Sequence, residues 1–95
     1  MINWDDFKKI DIRVGTIIEV KEFSRAKKPS FKIKIDFGSL GLKNSSAQIT
    51  TLYTKEGLIQ KQVLAVVNFP PKQIANFLSE VLILGIVNEK EDEVI

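Results

Sequence analysis

Strict period-two alternation is the feature of this sequence that leaves the fewest folds open. In Phe31-Lys-Ile-Lys-Ile-Asp-Phe37 every odd position is apolar and every even position is charged. On an extended chain successive side chains point to opposite faces, so Phe31, Ile33, Ile35 and Phe37 are expected in a core, with Lys32, Lys34 and Asp36 outside. A helix would scatter both sets around its axis. Ile12 to Phe23 repeats the pattern, with Ile12, Val14, Thr16, Ile18 and Val20 on one side and Arg13, Glu19 and Lys21 on the other. Gly15 inside that long strand predicts a bulge or a tight bend, as barrel corners require.

The remaining segments fit the same architecture. Asn3 is a helix N-cap followed by Asp5 and Asp6 in the first turn, so residues 1–10 are expected to hold a short helix with Trp4, Phe7 and Ile10 on one face. Ser24 to Ser30 is a basic loop. Gly38 and Gly41 frame a turn, and Leu42 to Thr50 reads as a third strand. Residues 51–61 lack strand character and suit a short helix. Val63 to Phe69 is a fourth strand stopped by Pro70-Pro71, Gln73 to Phe77 reads as one helical turn, and Val81 to Val87 is a fifth strand with Gly85 as a second kink. Residues 88–95 form an acidic tail. Five strands over residues 11–87, with a helix between the third and the fourth, predict an all-β, five-stranded OB-fold Greek-key barrel. An SH3-like barrel is the competing architecture, with shorter connections. At 95 residues a single domain is expected, 1–95 in all.

Composition then narrows function. The chain has no cysteine and no histidine. That excludes disulfide frameworks, thiolate zinc sites and hydrolases built on a histidine base. No phosphate-cradling glycine motif is present, and the adjacent carboxylates Asp5-Asp6 and 89–93 do not flank a cleft. No catalytic residue, metal ligand or cofactor is therefore expected. No apolar run reaches the ~18–20 residues of a membrane span, and no leader is evident, so a soluble cytoplasmic protein is the expectation.

Charge points toward an anionic partner. Fourteen Lys and Arg against twelve Asp and Glu give +2 overall, but four of the acids fall within residues 89–95 with only Lys90 beside them. Between Lys8 and Lys43 ten bases face four acids, a net +6. A solvated lysine-rich face would look the same; nucleic acid is the functional reading. Three polar segments accompany this charge. Lys43 to Thr50 crowds Lys43, Ser45, Ser46 and Gln48 into a strand, either to blunt an edge or to meet phosphate, sugar and base edges. The double proline holds Asn68 and Lys72 on a rigid loop. Ser79 and Glu80 enter the last strand, where they either satisfy backbone groups or face a ligand. Phe31, Phe37 and Phe69 are expected in the core, leaving Tyr53, Phe77 and Trp4 or Phe23 for stacking. So few stacking candidates favour backbone and shape recognition of a folded RNA.

Five blocks in order carry a family resemblance: Asp11-Ile-Arg-Val-Gly-Thr-Ile17, Phe31-Lys-Ile-Lys-Ile-Asp-Phe-Gly38, Asn44-Ser-Ser-Ala-Gln-Ile-Thr50, Val66-Val-Asn-Phe-Pro-Pro-Lys-Gln-Ile-Ala75 and Ser79-Glu-Val-Leu-Ile-Leu-Gly85. Together they resemble the tRNA-binding domain at the carboxyl end of methionyl-tRNA synthetases and in cytokine-like synthetase cofactors. Within it, the third and fourth blocks look most like the stand-alone, export-related chaperones. The resemblance implies a homodimeric OB-fold that binds tRNA through Lys32, Lys34, Ser45, Ser46, Gln48, Asn68, Lys72 and Ser79, to which the basic rim adds Lys43. It also implies a chaperone for unfolded or exported polypeptides, for which Phe77 and Leu78 are the candidate apolar contacts. A structural or dimerisation module attached to an aminoacyl-tRNA synthetase is the alternative. The stand-alone members usually carry a further dimer-building strand and turn past the position of Ile95, which this chain is expected to lack.

Overall fold

The computed structural model describes residues 1–22, 30–47, 55–75, 77–88 and 93–94. Helix α1 (Trp4–Lys8) opens with a complete capping box. The Asp6 amide donates to Asn3 Oδ1 at 3.0 Å and the Asn3 amide donates to Asp6 Oδ2 at 3.1 Å. That exchange satisfies two of the donors a helix start leaves without partners, which a five-residue helix needs to persist. Trp4 and Phe7 share a face with ring centroids 5.6 Å apart.

Among the described residues eight strands follow: β1 (Ile12–Glu22), β2 (Phe31–Asp36), β3 (Leu42–Ala47), β4 (Gln62–Val66), β5 (Lys72–Ile74), β6 (Phe77–Ser79), β7 (Leu82–Asn88) and β8 (Glu93–Val94). Six of them form one antiparallel sheet in the order β3-β2-β1-β4-β7-β8, and β5 pairs with β6 in a separate ribbon. The long β1 is the hinge of the sheet. Its first half pairs with β4 and its second half with β2, so the sheet curls around it.

The barrel closes where the free edge of β3 meets the corner between β6 and β7. There the Glu80 amide donates to the Asn44 carbonyl at 2.7 Å, and the Asn44 amide donates to Glu80 Oε1 at 3.0 Å. The Ser46 amide reaches Ser79 Oγ at 3.2 Å, and Ser45 Oγ donates to the Val81 carbonyl at 2.8 Å. Side chains thus replace much of a backbone ladder along this seam. Helix α2 (Lys55–Leu58) sits between β3 and β4, the place expected for it in an OB-fold, and buries Leu58 completely. The turn after it is stitched to β1, with Gln60 N donating to Ile17 O at 2.8 Å and Ile17 N to Lys61 O at 2.9 Å. The protein is an OB-type barrel of five strands, β1 to β4 and β7, with β8 added beside β7 and β5–β6 as a separate ribbon.

The core contains Ile17, Phe31, Ile33, Ile35, Phe37, Leu58, Val63, Ala65, Val81 and Ile86. Burial of each large aliphatic or aromatic side chain contributes about 1.5–3 kcal/mol of transfer free energy. All four apolar residues of the alternating Phe31–Phe37 segment point inward, as their period requires.

Four features differ from the sequence expectation. In β1 the inward residues are Gly15 and Ile17, while Ile12, Val14 and Ile18 are exposed. The cause is a bulge between Ile17 and Glu19, which lie opposite Ile35 and Lys34 and leave Ile18 as the extra residue. One added residue exchanges the two faces of a strand. The bulge is not at Gly15. Phe69, expected in the core, lies past the end of β4 and is 53% exposed. Where one helical turn was expected, Gln73, Ile74 and Phe77 are in strands. Lys72, Gln73 and Ile74 pair with Ser79, Leu78 and Phe77, and the chain reverses at Ala75 with φ 51°. A single turn has no cooperative gain to offset its nucleation, whereas the ribbon gains cross-strand pairs. Finally, Glu93–Val94 within the expected acidic tail pairs with β7.

Candidate nucleic-acid interface

The outward residues of β1, β2 and β3 form two adjacent rows. Glu19 lies opposite Lys34, and Lys34 lies opposite Asn44; one row over, Lys21 lies opposite Lys32, and Lys32 opposite Ser46. Same-face neighbours along a strand are spaced by two residues, about 7 Å, so the six side chains make a compact grid. Lys32 also extends toward β6, where its Nζ lies 5.4 Å from the centroid of the Phe77 ring, a cation–π distance. Between these groups is an open hollow of about 230 Å³, lined by Glu19, Lys21, Lys32, Lys34, Asn44 and Phe77. Three ammonium groups, an amide and one aromatic ring suit a phosphate chain with a base beside it.

Glu19 is the exception to the sign of this surface. Lys21 Nζ lies 3.1 Å from its Oε1. The Lys21 hydrogen bond first, then the charges of Lys21 and Lys34, hold the Glu19 carboxyl below the usual carboxylate range. It is therefore ionised at neutral pH.

The expected site residues separate into groups. Lys32 and Lys34 meet in the hollow, joined by Phe77, the residue expected either to stack on a base or to contact polypeptide. Lys43 faces Glu80 at 3.9 Å across the seam. Ser45 is 1% exposed and spends its hydroxyl on Val81, so it has no surface to offer a ligand. Ser46 lies on the grid beside Lys32, and its amide is accepted by the Ser79 hydroxyl. Gln48, Phe23, Tyr53 and the basic loop positions 25, 27 and 28 lie outside the described residues. Asn68 is occupied elsewhere. Its Oδ1 accepts the Asp11 amide at 3.0 Å and its Nδ2 donates to the Lys9 carbonyl at 2.7 Å, tying the end of β4 to the segment after α1. Lys72 and Ser79 border a second, more apolar groove of about 370 Å³, together with Phe69, Pro70, Val81 and Leu82. Leu78 is exposed on β6.

Glu19, Lys21 and Asn44 are the lining residues that motif reading overlooked. The signal for two of them was available: Glu19 and Lys21 fall on the polar side of β1. Pairing register with β2, a tertiary fact, is what brings them beside Lys32 and Lys34. Among the described residues no group of three or more acidic side chains is placed to hold a metal ion, and no helix is long and apolar enough to cross a membrane.

An OB-type barrel with a lysine grid on its outer strands, and with its polar groups turned to surfaces, defines a binding module of the oligonucleotide-binding architecture. The family model described as "Putative tRNA binding domain" matches residues 12–95, and the chain belongs to that family. It is 38% identical over 89 residues to a methionine–tRNA ligase of Leptospira biflexa, covering 94% of this chain but 13% of the ligase. The chain thus spans a small part of the ligases it matches. Two solved structures are similar over its full length. The CsaA chaperone of Picrophilus torridus is 58% identical with a TM-score of 0.88, and 89% of that chain is covered. The CsaA chaperone of Bacillus anthracis is 52% identical with a TM-score of 0.86, and 86% of it is covered. The stand-alone chaperones that the third and fourth sequence blocks resemble are these CsaA proteins.

Proposed function

We propose that this chain is a CsaA-like, non-enzymatic protein of the cytoplasm that binds tRNA through the outer face of β1, β2 and β3. The observation that carries the reading is the convergence of Lys21, Lys32 and Lys34 around Phe77. Lys72 and Ser46 extend the contact surface, and Lys43 borders it across the seam. Binding that neutralises phosphates releases counterions, so log affinity falls linearly with log salt. tRNA binding followed by filter retention across a salt series tests this. Lys32→Glu with Lys34→Glu is expected to weaken binding at least tenfold and to flatten the slope by about two phosphate contacts. Affinity that ignores salt, or that survives the double reversal, refutes the surface.

The chain is further proposed to act as a homodimer. Support comes from the outer apolar face of β1, β4 and β7, where Ile12 and Leu82 both stand opposite Val66 and Val14 stands opposite Leu64. Val14, Leu82 and Leu84 are each about half exposed, at 50%, 49% and 50%. A cross-strand apolar cluster of this kind marks an interaction surface more than a solvated one.

A chaperone activity toward unfolded or exported polypeptides is the second part of the proposal. It is supported by the likeness to CsaA chaperones and by the groove in which Phe69 and Leu82 are exposed beside Pro70. Phe69→Ser should then lose suppression of aggregation of a denatured client while retaining tRNA binding. The alternative role, a module attached to an aminoacyl-tRNA synthetase, draws on the identity with methionine–tRNA ligases. Co-purification with such a ligase would favour it.

A further inference from the structure

A surface that only gripped phosphates would gain nothing from an anion among its lysines, since Glu19 repels each phosphate that its lysine neighbours attract. Yet Glu19 stands at the β1 end of the row that crosses the hollow to Asn44, with Lys34 between them. Lys21 hydrogen bonds to one of its oxygens. A carboxylate has about four lone-pair sites and accepts only, so capacity remains for a donor from a ligand. Asn44, in the same row, carries both an amide donor and an amide acceptor. Phe77 presents a ring at the edge of the hollow, and the volume of about 230 Å³ falls below the ~300 Å³ at which drug-sized sites begin, which suits one ring system.

We propose that the hollow receives one unpaired nucleotide of a bound RNA, its base stacked on Phe77 and its exocyclic amino group donated to Glu19, with cytosine as the preferred base. This rests on the RNA-binding reading above and adds a base preference to it. Cytosine presents an N4 amino donor beside the N3 and O2 acceptors. Glu19 accepts from the first, and the Asn44 side-chain amide donates to the second set. Carboxylate acceptance from cytosine N4 is an established readout pairing. Uracil places a carbonyl where cytosine has its amino group, and two oxygens would then face each other. Glu19 is thus a specificity-determining residue, held in place by the 3.1 Å contact of Lys21 Nζ with its Oε1.

The test is fluorescence anisotropy with labelled octamers of cytidine and of uridine, which carry the same charge and offer similar pyrimidine stacking. The native chain is expected to bind the cytidine octamer about tenfold more tightly. Glu19→Gln and Glu19→Ala should bring the ratio close to one. Because the ratio is taken within each variant, a partly unfolded preparation does not obscure it. A native ratio near one overturns the proposal. So does a rise in affinity for both octamers with an unchanged ratio, which would make Glu19 a plain repulsive charge. Polyglutamate that displaced the octamers as efficiently as unlabelled cytidine octamer would reassign the hollow to acidic polypeptide. Tight tRNA binding with no octamer binding removes this inference alone, whereas loss of both removes the RNA-binding reading itself.

Discussion

Gly15 is the residue at which the barrel has least slack. A Cβ placed there would lie 2.5 Å from Ile35 Cγ2 and 2.7 Å from the Phe37 ring, across the β1–β2 contact. Both neighbours are buried core side chains and have little freedom to yield. Gly15→Ala is therefore expected to destabilise by about 1–3 kcal/mol, read from the midpoint of urea unfolding. Asn68→Ala removes both partners of a tether and should cost about 0.5–1.5 kcal/mol by the same measurement, leaving tRNA affinity unchanged. That outcome would separate Asn68 from the lysine face to which its position on a rigid loop had assigned it. Glu19 adds a pH dependence. Its folded pKa lies below its ordinary value of 4.5, so its contribution to stability is fully present above that value and is lost as pH falls through the folded pKa. Being exposed and screened, the effect is small, and the stability difference between the native chain and Glu19→Gln should vanish in thermal melts run well below pH 4.5. Gly15 was legible in the sequence as a special position, but a kink and a close approach give the same letter. Asn68 could not be placed from sequence, because its partners lie 57 and 59 positions away.

Among the elements, the seam between β3 and the β6–β7 corner is held by borrowed groups. Glu80 accepts the Asn44 amide through its side chain while its own amide donates to the Asn44 carbonyl, and Ser79 accepts the Ser46 amide. Removing the carboxylate leaves a part-buried amide without its acceptor. Glu80→Ala is expected to destabilise by about 1–3 kcal/mol and to speed hydrogen exchange at Asn44 and Ser46 before other amides of the sheet. Uniform acceleration across the sheet would instead mean that the seam opens only by global unfolding. Strands with one apolar face, such as β2, were legible from period alone. β1 was not, because upstream of Ile18 its more apolar face, Ile12 and Val14, is the outer one, and nothing local announces the bulge that exchanges the faces. The ribbon of β5 and β6 was missed for a different reason. Three-residue strands carry almost no periodic signal, and their pairing is decided by the reversal at Ala75.

At the scale of the whole molecule, β1 separates two surfaces of opposite chemistry. Its second half, with β2 and β3, carries the lysine grid; its first half, with β4 and β7, carries Ile12, Val14, Leu82 and Leu84 outward. If two copies of the chain meet through the apolar half, each barrel keeps its lysine face clear, and one folded RNA is able to touch both. Linking two weak sites in this way raises affinity without any new contact, by up to ~10²–10⁴ where the geometry allows both to engage. Val14→Glu combined with Leu84→Glu places charge in the proposed interface while leaving the core and the lysine grid untouched. Sedimentation equilibrium should then show the mass of one chain in place of two. tRNA affinity should fall at least tenfold, while a single-site ligand such as the cytidine octamer binds as before. An unchanged mass would place the dimer elsewhere or exclude it. A halved mass with full tRNA affinity would show that one barrel suffices for the RNA, and that the second copy serves another purpose.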